Sequence, residues 1–390
     1  MRSRYPGTKP YTDKESDIFF GRQKEINELF RTVVFEKISI LHSFPGAGKT
    51  SVLQAGVIPL LKSSNQFEII YIDIPQYKKS NIELSETIKK NFGISANSLS
   101  FIDKLIYEPD YFWYYLKKIQ SIKSSDKVII MLFDSFENIF TYPKTIIEKF
   151  NTDLSSALYE IIPKNIKTEI REKISKNPEL LTDEGSKLLY NPIKLRVLFS
   201  VRTKNLKNLR ELSEFYPEIK NNKIKLDYFN RTQLLEIIEQ SSGFVSKYEE
   251  KNDFITKPYK FNNELIEHII KFLTKKNKTN PTNLQIILKY SEKLVSQKNI
   301  SLHENTNYFN FNEIFGNYYN ECIKNIKEKN IRESITDFAE KELFLESENR
   351  LLPVYDGIAK ERYNLNINIY SLTNGLITYI IKSFGRVIRV

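Results

Sequence analysis

Cysteine occurs once in the 390 residues, at Cys322, so no intramolecular disulfide can form and the chain suits a reducing compartment. Long apolar runs are also absent: no stretch reaches the roughly 20 residues a bilayer-spanning helix needs. The opening residues MRSRYPGTKPYTDKESD lack the apolar core of a secretory signal, so the expectation is a soluble, cytoplasmic protein. Acidic side chains are outnumbered, 48 against 59 Lys and Arg, which leaves a formal charge of +11. That balance favours acidic partners, nucleotide or nucleic acid among them. Lys, Ile and Asn are abundant throughout, however, as from an AT-rich genome, so nucleic acid is not favoured on charge alone. A hydrophobic content of 41% is ordinary for a globular protein, and the length allows two or three domains with full cores.

What is present is organised around residues 37–57, KISILHSFPGAGKTSVLQAGV, an apolar strand followed by a glycine-containing loop and a helix. That context is the one a phosphate-binding loop requires. Gly46 and Gly48 let the backbone bend close to an anion at a helix N-terminus. Lys49 is placed to reach the β- and γ-phosphates and Thr50 to ligate Mg²⁺. Pro45, Ala47 and Ser51 complete the candidate cradle. The usual pattern GxxxxGK[ST] has glycine where this chain has Ser43, but the residues that touch phosphate are the later ones. The plain alternative, a glycine turn that happens to precede a helix, fits the flanking strand and helix less well.

In chain order, Ile26, Leu29, Phe30, Val33 and Val34 recur at helical spacing after Gly21 and Arg22. The run FEIIYIDI from Phe67 reads as a second strand, apolar enough to be buried on both faces of a parallel sheet, and forms a βαβ unit with the first. Aromatic residues in YEPDYFWYYLKK, from Tyr107, fit a core or a partner surface better than a base-stacking platform. KVIIMLFDSFENIF, from Lys127, is a buried strand that brings Asp134 to its carboxyl end, where ligands of open α/β sheets sit. Asp134 there can hold Mg²⁺ through water. Glu137 is the nearest candidate for activating water or sensing nucleotide, against a role as a helix cap or salt-bridge partner. After a helical insertion punctuated by Pro163 and Pro178, the strand KLRVLFSVR ends at Arg202. That side chain either contacts a γ-phosphate or is a surface cation. KIKLDYF is a fifth strand, so the fold class is α/β: a doubly wound parallel sheet of about five strands.

After Asn230 the apolar spacing is helical, the pattern of a small lid, with Pro281 at a helix start. From about Phe309, helices and the strand-like RLLPVYD and RVIRV suggest a partial winged-helix-like module. The expected domains are therefore 1–229 for nucleotide binding, 230–305 for the lid and 306–390 for the truncated winged module. No guanine-reading NKxD motif is evident, which favours ATP over GTP.

The segments YPGTKPYTDKESDIFFGRQKEINELF, FPGAGKTSVLQAGVIPLL, MLFDSFENIFT and SVRTKNLKNL together resemble the STAND class of P-loop NTPases. The likeness is to the bacterial branch marked by FFGR, a phosphate loop followed by AG and P, and D-Q-F-E-E-L-F. It implies that Gly21 and Arg22 line the adenine side of the site, as the matching pair does in related AAA+ initiators. It gives Lys49, Thr50, Asp134 and Arg202 the phosphate, Mg²⁺, Mg²⁺ and γ-phosphate roles, leaves Glu137 as the one remaining glutamate of the D-Q-F-E-E run, and makes Pro281 resemble the lid proline packed on the base. Ser135 and Asn138 depart from the D-Q-F-E-E pattern. The winged-helix histidine of many relatives would follow RVIRV, where this sequence stops.

The resemblance further implies an ATP/ADP switch. With ADP bound, the lid and winged module would close over the sheet domain; ATP would open them for self-assembly, with slow hydrolysis resetting the state. Sensor and effector domains would lie outside this chain, and the setting would be antiphage defence or regulation. Two alternatives stay open: a DNA-binding initiator-like ATPase, and a non-hydrolysing nucleotide-binding scaffold.

Overall fold

The computed structural model describes residues 1–77, 84–94, 100–106, 112–122, 126–246, 253–274, 279–298, 301–302, 309–341, 344–345 and 350–351. The chain forms two compact units: residues 23–45 with 52–227, and residues 1–22 and 46–51 with 228–390.

The first unit is built on a parallel sheet in the order β2-β3-β4-β1-β5, with β1 Ile38–Ser43, β2 Phe67–Asp73, β3 Val128–Asp134, β4 Leu195–Arg202 and β5 Lys223–Leu226. Every residue of β1 is buried, as expected of a strand flanked on both sides and covered on both faces. Register aligns the carboxyl ends: Ser43 pairs with Arg202 and Asp73 with Asp134. Chemistry-bearing side chains therefore collect along one edge of the sheet, where strands end and loops begin.

Two expectations change here. The run FEIIYIDI is an edge strand with one neighbour, and only Ile70 and Ile72 within β2 are buried. An apolar run reports burial potential, but sheet order decides which strand receives a second partner. The βαβ unit read between β1 and β2 is a wide crossover, since β4 and β3 lie between them. The helix after the phosphate loop is also interrupted: α2 (Lys49–Ser51) passes into a π-helical stretch, Val52–Val57, before α3 (Ile58–Ser63). At Gly56 a β-carbon would lie 2.6 Å from Ile26 on α1 (Gln23–Phe35), so only glycine lets the two segments pack this closely.

Outer helices are α4 (Leu84–Asn91), α5 (Phe112–Ile122), α6 (Lys144–Tyr159), α7 (Lys164–Lys176), α8 (Asp183–Tyr190) and α9 (Leu206–Glu211). The described part of the aromatic run belongs to the core: Trp113 is buried and donates from its indole to the Ile161 carbonyl at 2.7 Å. Residues 107–111 of that run lie outside the described residues. Phe133, Phe136, Phe150 and Phe199 pack in mutual contact beneath the strand ends, with ring centroids of Phe136 and Phe199 4.3 Å apart. Phe136, the first residue of the short helix after Ser135, is thereby anchored in the core.

The second unit contains α10 (Arg231–Gly243), α11 (Asn263–Leu273), α12 (Pro281–Lys298), α13 (Phe311–Lys324), α14 (Lys329–Lys341) and a two-stranded antiparallel pair, β6 Phe344–Leu345 with β7 Arg350–Leu351. RVIRV lies outside the described residues. The N-terminal arm is stitched into these helices. Arg4 is 1% exposed; its guanidinium donates to the carbonyls of Ser241, Phe244 and Thr256 and stacks on Phe254 at 4.2 Å. A buried charge with this many acceptors is compensated, and it fixes the arm's register. Glu292, also buried, accepts from the Arg4 backbone N–H and the Ser3 hydroxyl. No helix among the described residues is long and apolar enough to cross a membrane.

Candidate functional site

The phosphate-loop glycines adopt backbone angles that side chains disfavour. Gly46 has φ +78° and Gly48 φ +94°, and a β-carbon at Gly46 would also meet the Asn280 side chain at 3.1 Å. Asn280 accepts from the Thr282 backbone N–H at 3.0 Å, capping α12 just ahead of Pro281.

Residues 46–51 line a cavity of about 240 Å³ in the second unit, together with Lys9, Tyr11, Arg22, Phe229, Pro281 and Gln285. Of the residues singled out from sequence, Arg22, Gly46, Ala47, Gly48, Lys49, Thr50, Ser51 and Pro281 meet here, while Gly21 and Pro45 are not among the lining residues. Arg22 is fully buried: its guanidinium donates to the Ala47 carbonyl at 3.1 Å and lies 4.1 Å over the Phe229 ring. Gly21, at φ +78°, lets the chain turn against α10; its carbonyl accepts from the Gln233 amide at 3.0 Å. The cavity is cationic at Lys9 and Lys49 and apolar at Ile18, Phe19, Phe229 and Ile237. An anion and a planar apolar group can be held side by side in such a space.

The arm's contribution was not legible from sequence. The Tyr11 backbone N–H donates to the Ser51 hydroxyl at 3.2 Å, and its phenol donates to Gln285 at 3.0 Å. Burial pushes that phenol well above its ordinary range, so it remains a donor. The arm has no periodicity to flag it; its Pro6-Gly7 pair signals a turn but not a contact with the cavity.

Asp134, Glu137 and Arg202 belong to the sheet unit. Asp134 is 2% exposed, and its Oδ1 accepts from the Ser200 hydroxyl at 2.7 Å and the Ser135 backbone N–H at 2.9 Å. Its Oδ2 accepts from the Tyr71 phenol at 3.0 Å. Ser135 takes φ +51°, a left-handed conformation uncommon outside glycine, which turns the chain sharply after the strand. Glu137 pairs with Arg202, Oε1 to Nε at 2.8 Å, and its Oε2 accepts the Arg202 backbone N–H at 3.2 Å. Asn138, a departure from the motif, donates to the Ile74 carbonyl at 2.7 Å and ties the turn to the end of β2.

Asp73 lies beside Asp134 in register. Desolvation of its carboxyl and then the Asp134 charge push it up to about 6, although the residue as a whole is exposed. Desolvation, followed by the Asp134 and Asp73 charges, also drives the Tyr71 phenol far up, so it donates. Among the described residues no cluster of three or more His, Cys, Asp or Glu could hold a metal by itself. Asp134 in the sheet unit and Thr50 in the other unit each offer an oxygen of the kind Mg²⁺ takes, an ion that keeps waters and phosphate oxygens rather than an all-protein cage.

The family model described as Novel STAND NTPase 1 matches residues 5–246, which span the arm, Arg22, the phosphate loop and the Asp134 turn. The chain belongs to that family. As a novel STAND NTPase it carries an α/β P-loop fold. Solved structures similar to it include the Aeropyrum pernix ORC1 protein in complex with DNA, at 10% identity and TM-score 0.49, covering 97% of this chain and 87% of that one. The ADP form of the Aeropyrum pernix ORC2 protein is similar at 13% identity and TM-score 0.44, covering 90% and 81%. A Walker-type ATPase of Pyrococcus abyssi is similar at 12% identity and TM-score 0.44, covering 94% and 91%. No curated protein sequence matches the chain.

Proposed function

We propose that this STAND NTPase is an ATP/ADP-dependent signal-transduction switch. The observation that carries the reading is one cavity lined by Arg22, Lys49, Thr50 and Pro281, residues remote from one another in sequence. A nucleotide there would touch the arm, the phosphate loop and the first turn of α12 together. A change from ADP to ATP would therefore act directly on a helix outside the sheet.

In this reading Lys49 takes the β- and γ-phosphates within the cradle of residues 45–51, while Gly21, Arg22 and Pro281 shape the adenine side. The Thr50 hydroxyl and the Asp134 carboxylate hold Mg²⁺, which when bound neutralises phosphate charge. Glu137 orients the attacking water, and Arg202 detects the γ-phosphate. Their mutual ion pair supports a slow resting turnover, because each group is engaged by the other. The two nucleotides can shift the switch only by as much as their affinities for its two states differ.

Self-assembly on activation, sensor and effector domains outside this chain, and a role in antiphage defence or regulation complete the proposal; these rest on the family likeness. Light scattering of the protein with Mg²⁺ and ADP, then with a non-hydrolysable ATP analogue, tests the switch. A larger assembly with the ATP analogue, absent in Lys49→Ala, is expected. One size under all conditions contradicts the switch and favours a nucleotide-binding scaffold.

A further inference from the structure

Both carboxylate oxygens of Asp134 accept hydrogen bonds from the protein. Two protein donors already occupy Oδ1, from Ser200 and Ser135. Oδ2 accepts from the Tyr71 phenol at 3.0 Å. Tyr71 in turn has a second partner: the Gln54 side chain hydrogen-bonds the phenol in the sense that favours its oxygen as acceptor. Gln54 sits in the π-helical stretch that directly follows Lys49–Ser51 in the chain, and π turns inserted in helices recur at functional sites.

We propose that Tyr71 is a positioning residue for the divalent cation: it fixes the Asp134 carboxylate, and Gln54 fixes Tyr71. The inference rests on the reading of Asp134 as the Mg²⁺ residue. Its physical basis is that a carboxylate held by three donors cannot rotate about its terminal bond. The orientation of the carboxylate is set before the cation arrives, so less ordering cost falls on binding. A phenol suits this role because its hydrogen bond to an ionised carboxylate is charge-assisted. Sequence gives no sign of it: Tyr71 reads as one more apolar residue of a strand, and only the edge position of β2 leaves its ring half-buried beside the strand ends.

The test is a Mg²⁺ titration of the affinity for a fluorescent ADP analogue, in the parent, Asp134→Ala, Tyr71→Phe and Gln54→Leu. Tyr71→Phe keeps the ring and hence the packing, and a thermal melt checks that each variant folds. The expected result is a Mg²⁺ midpoint raised about tenfold in Tyr71→Phe, in line with the loss typical of outer-shell ligands. A smaller rise in the same direction is expected in Gln54→Leu, and affinity without Mg²⁺ should be unchanged in both. A parental midpoint in Tyr71→Phe, with a shifted one in Asp134→Ala, overturns the inference alone. A parental midpoint in Asp134→Ala overturns the metal role of Asp134 and this inference with it. A fall in Mg²⁺-free affinity equal to the fall with Mg²⁺ assigns Tyr71 a general structural role and also overturns the proposal.

Discussion

Arg202 grips Glu137 twice, with its guanidinium Nε 2.8 Å from one carboxylate oxygen and its backbone N–H 3.2 Å from the other. Glu137 is 10% exposed by side chain and Arg202 43%, so the pair is screened on one side only. A guanidinium has further donors left for an incoming anion, whereas the glutamate has both oxygens engaged.

If Glu137 acts on water, Glu137→Gln should lower ATP turnover by about 100-fold or more while nucleotide affinity stays within about twofold. Arg202→Ala should also lower turnover, and Arg202→Lys should not restore it, because an ammonium lacks the planar fork. Single-turnover hydrolysis with bound radiolabelled ATP measures both.

Arg22 and Gly21 should matter for folding as well as binding. Removing the buried Arg22 guanidinium strips the Ala47 carbonyl of a donor and uncovers Phe229, so Arg22→Ala should cost about 2–4 kcal/mol in urea denaturation and weaken nucleotide binding at least tenfold. Gly21→Ala would force a β-carbon to within 2.7 Å of Ile237 at φ +78°, at a cost of about 1–3 kcal/mol.

Lys117 supplies a pH signature independent of the nucleotide. The residue is 1% exposed, and its ammonium donates to Gln120 at 2.8 Å and to the carbonyls of Leu188 at 2.9 Å and Asn191 at 2.5 Å. Desolvation nevertheless lowers its pKa from 10.5 to about 8. As pH falls through this window the unfolded chain takes up the proton first, so the folded state loses stability between 10.5 and about 8, and the penalty is complete below that. Its size is at most about 3 kcal/mol. Lys117→Met loses the three hydrogen bonds at every pH. The readout is therefore the slope: the parent should gain stability relative to the variant as pH rises, and parallel profiles would contradict the assignment.

Residues whose chemistry is written in a local pattern were legible in the sequence. Gly46 and Gly48 need left-handed angles, Lys49 and Thr50 follow a strand and open a helix, and Asp134 ends an unbroken apolar run; the five-stranded α/β sheet follows from the same strand patterns. The rest depends on contacts between distant segments. Tyr71 matters only because β2 pairs with β3 in a register that sets its strand end beside Asp134, and that sheet order is not encoded in the strand's own composition. Ser200 reaches Asp134 because β4 is the other neighbour of β3. Lys9 and Tyr11 reach the cavity on an irregular arm whose course is set by Arg4, which binds carbonyls of Ser241, Phe244 and Thr256 far along the chain.

The most direct measurement is the nucleotide released when the purified protein is denatured, compared with Lys49→Ala. Lys49 lines the cavity at the start of α2, and the variant removes its cation without a large change in helix propensity. The account predicts stoichiometric ADP from the parent and none from the variant. A parent that releases no nucleotide and also fails to bind added ATP would contradict it.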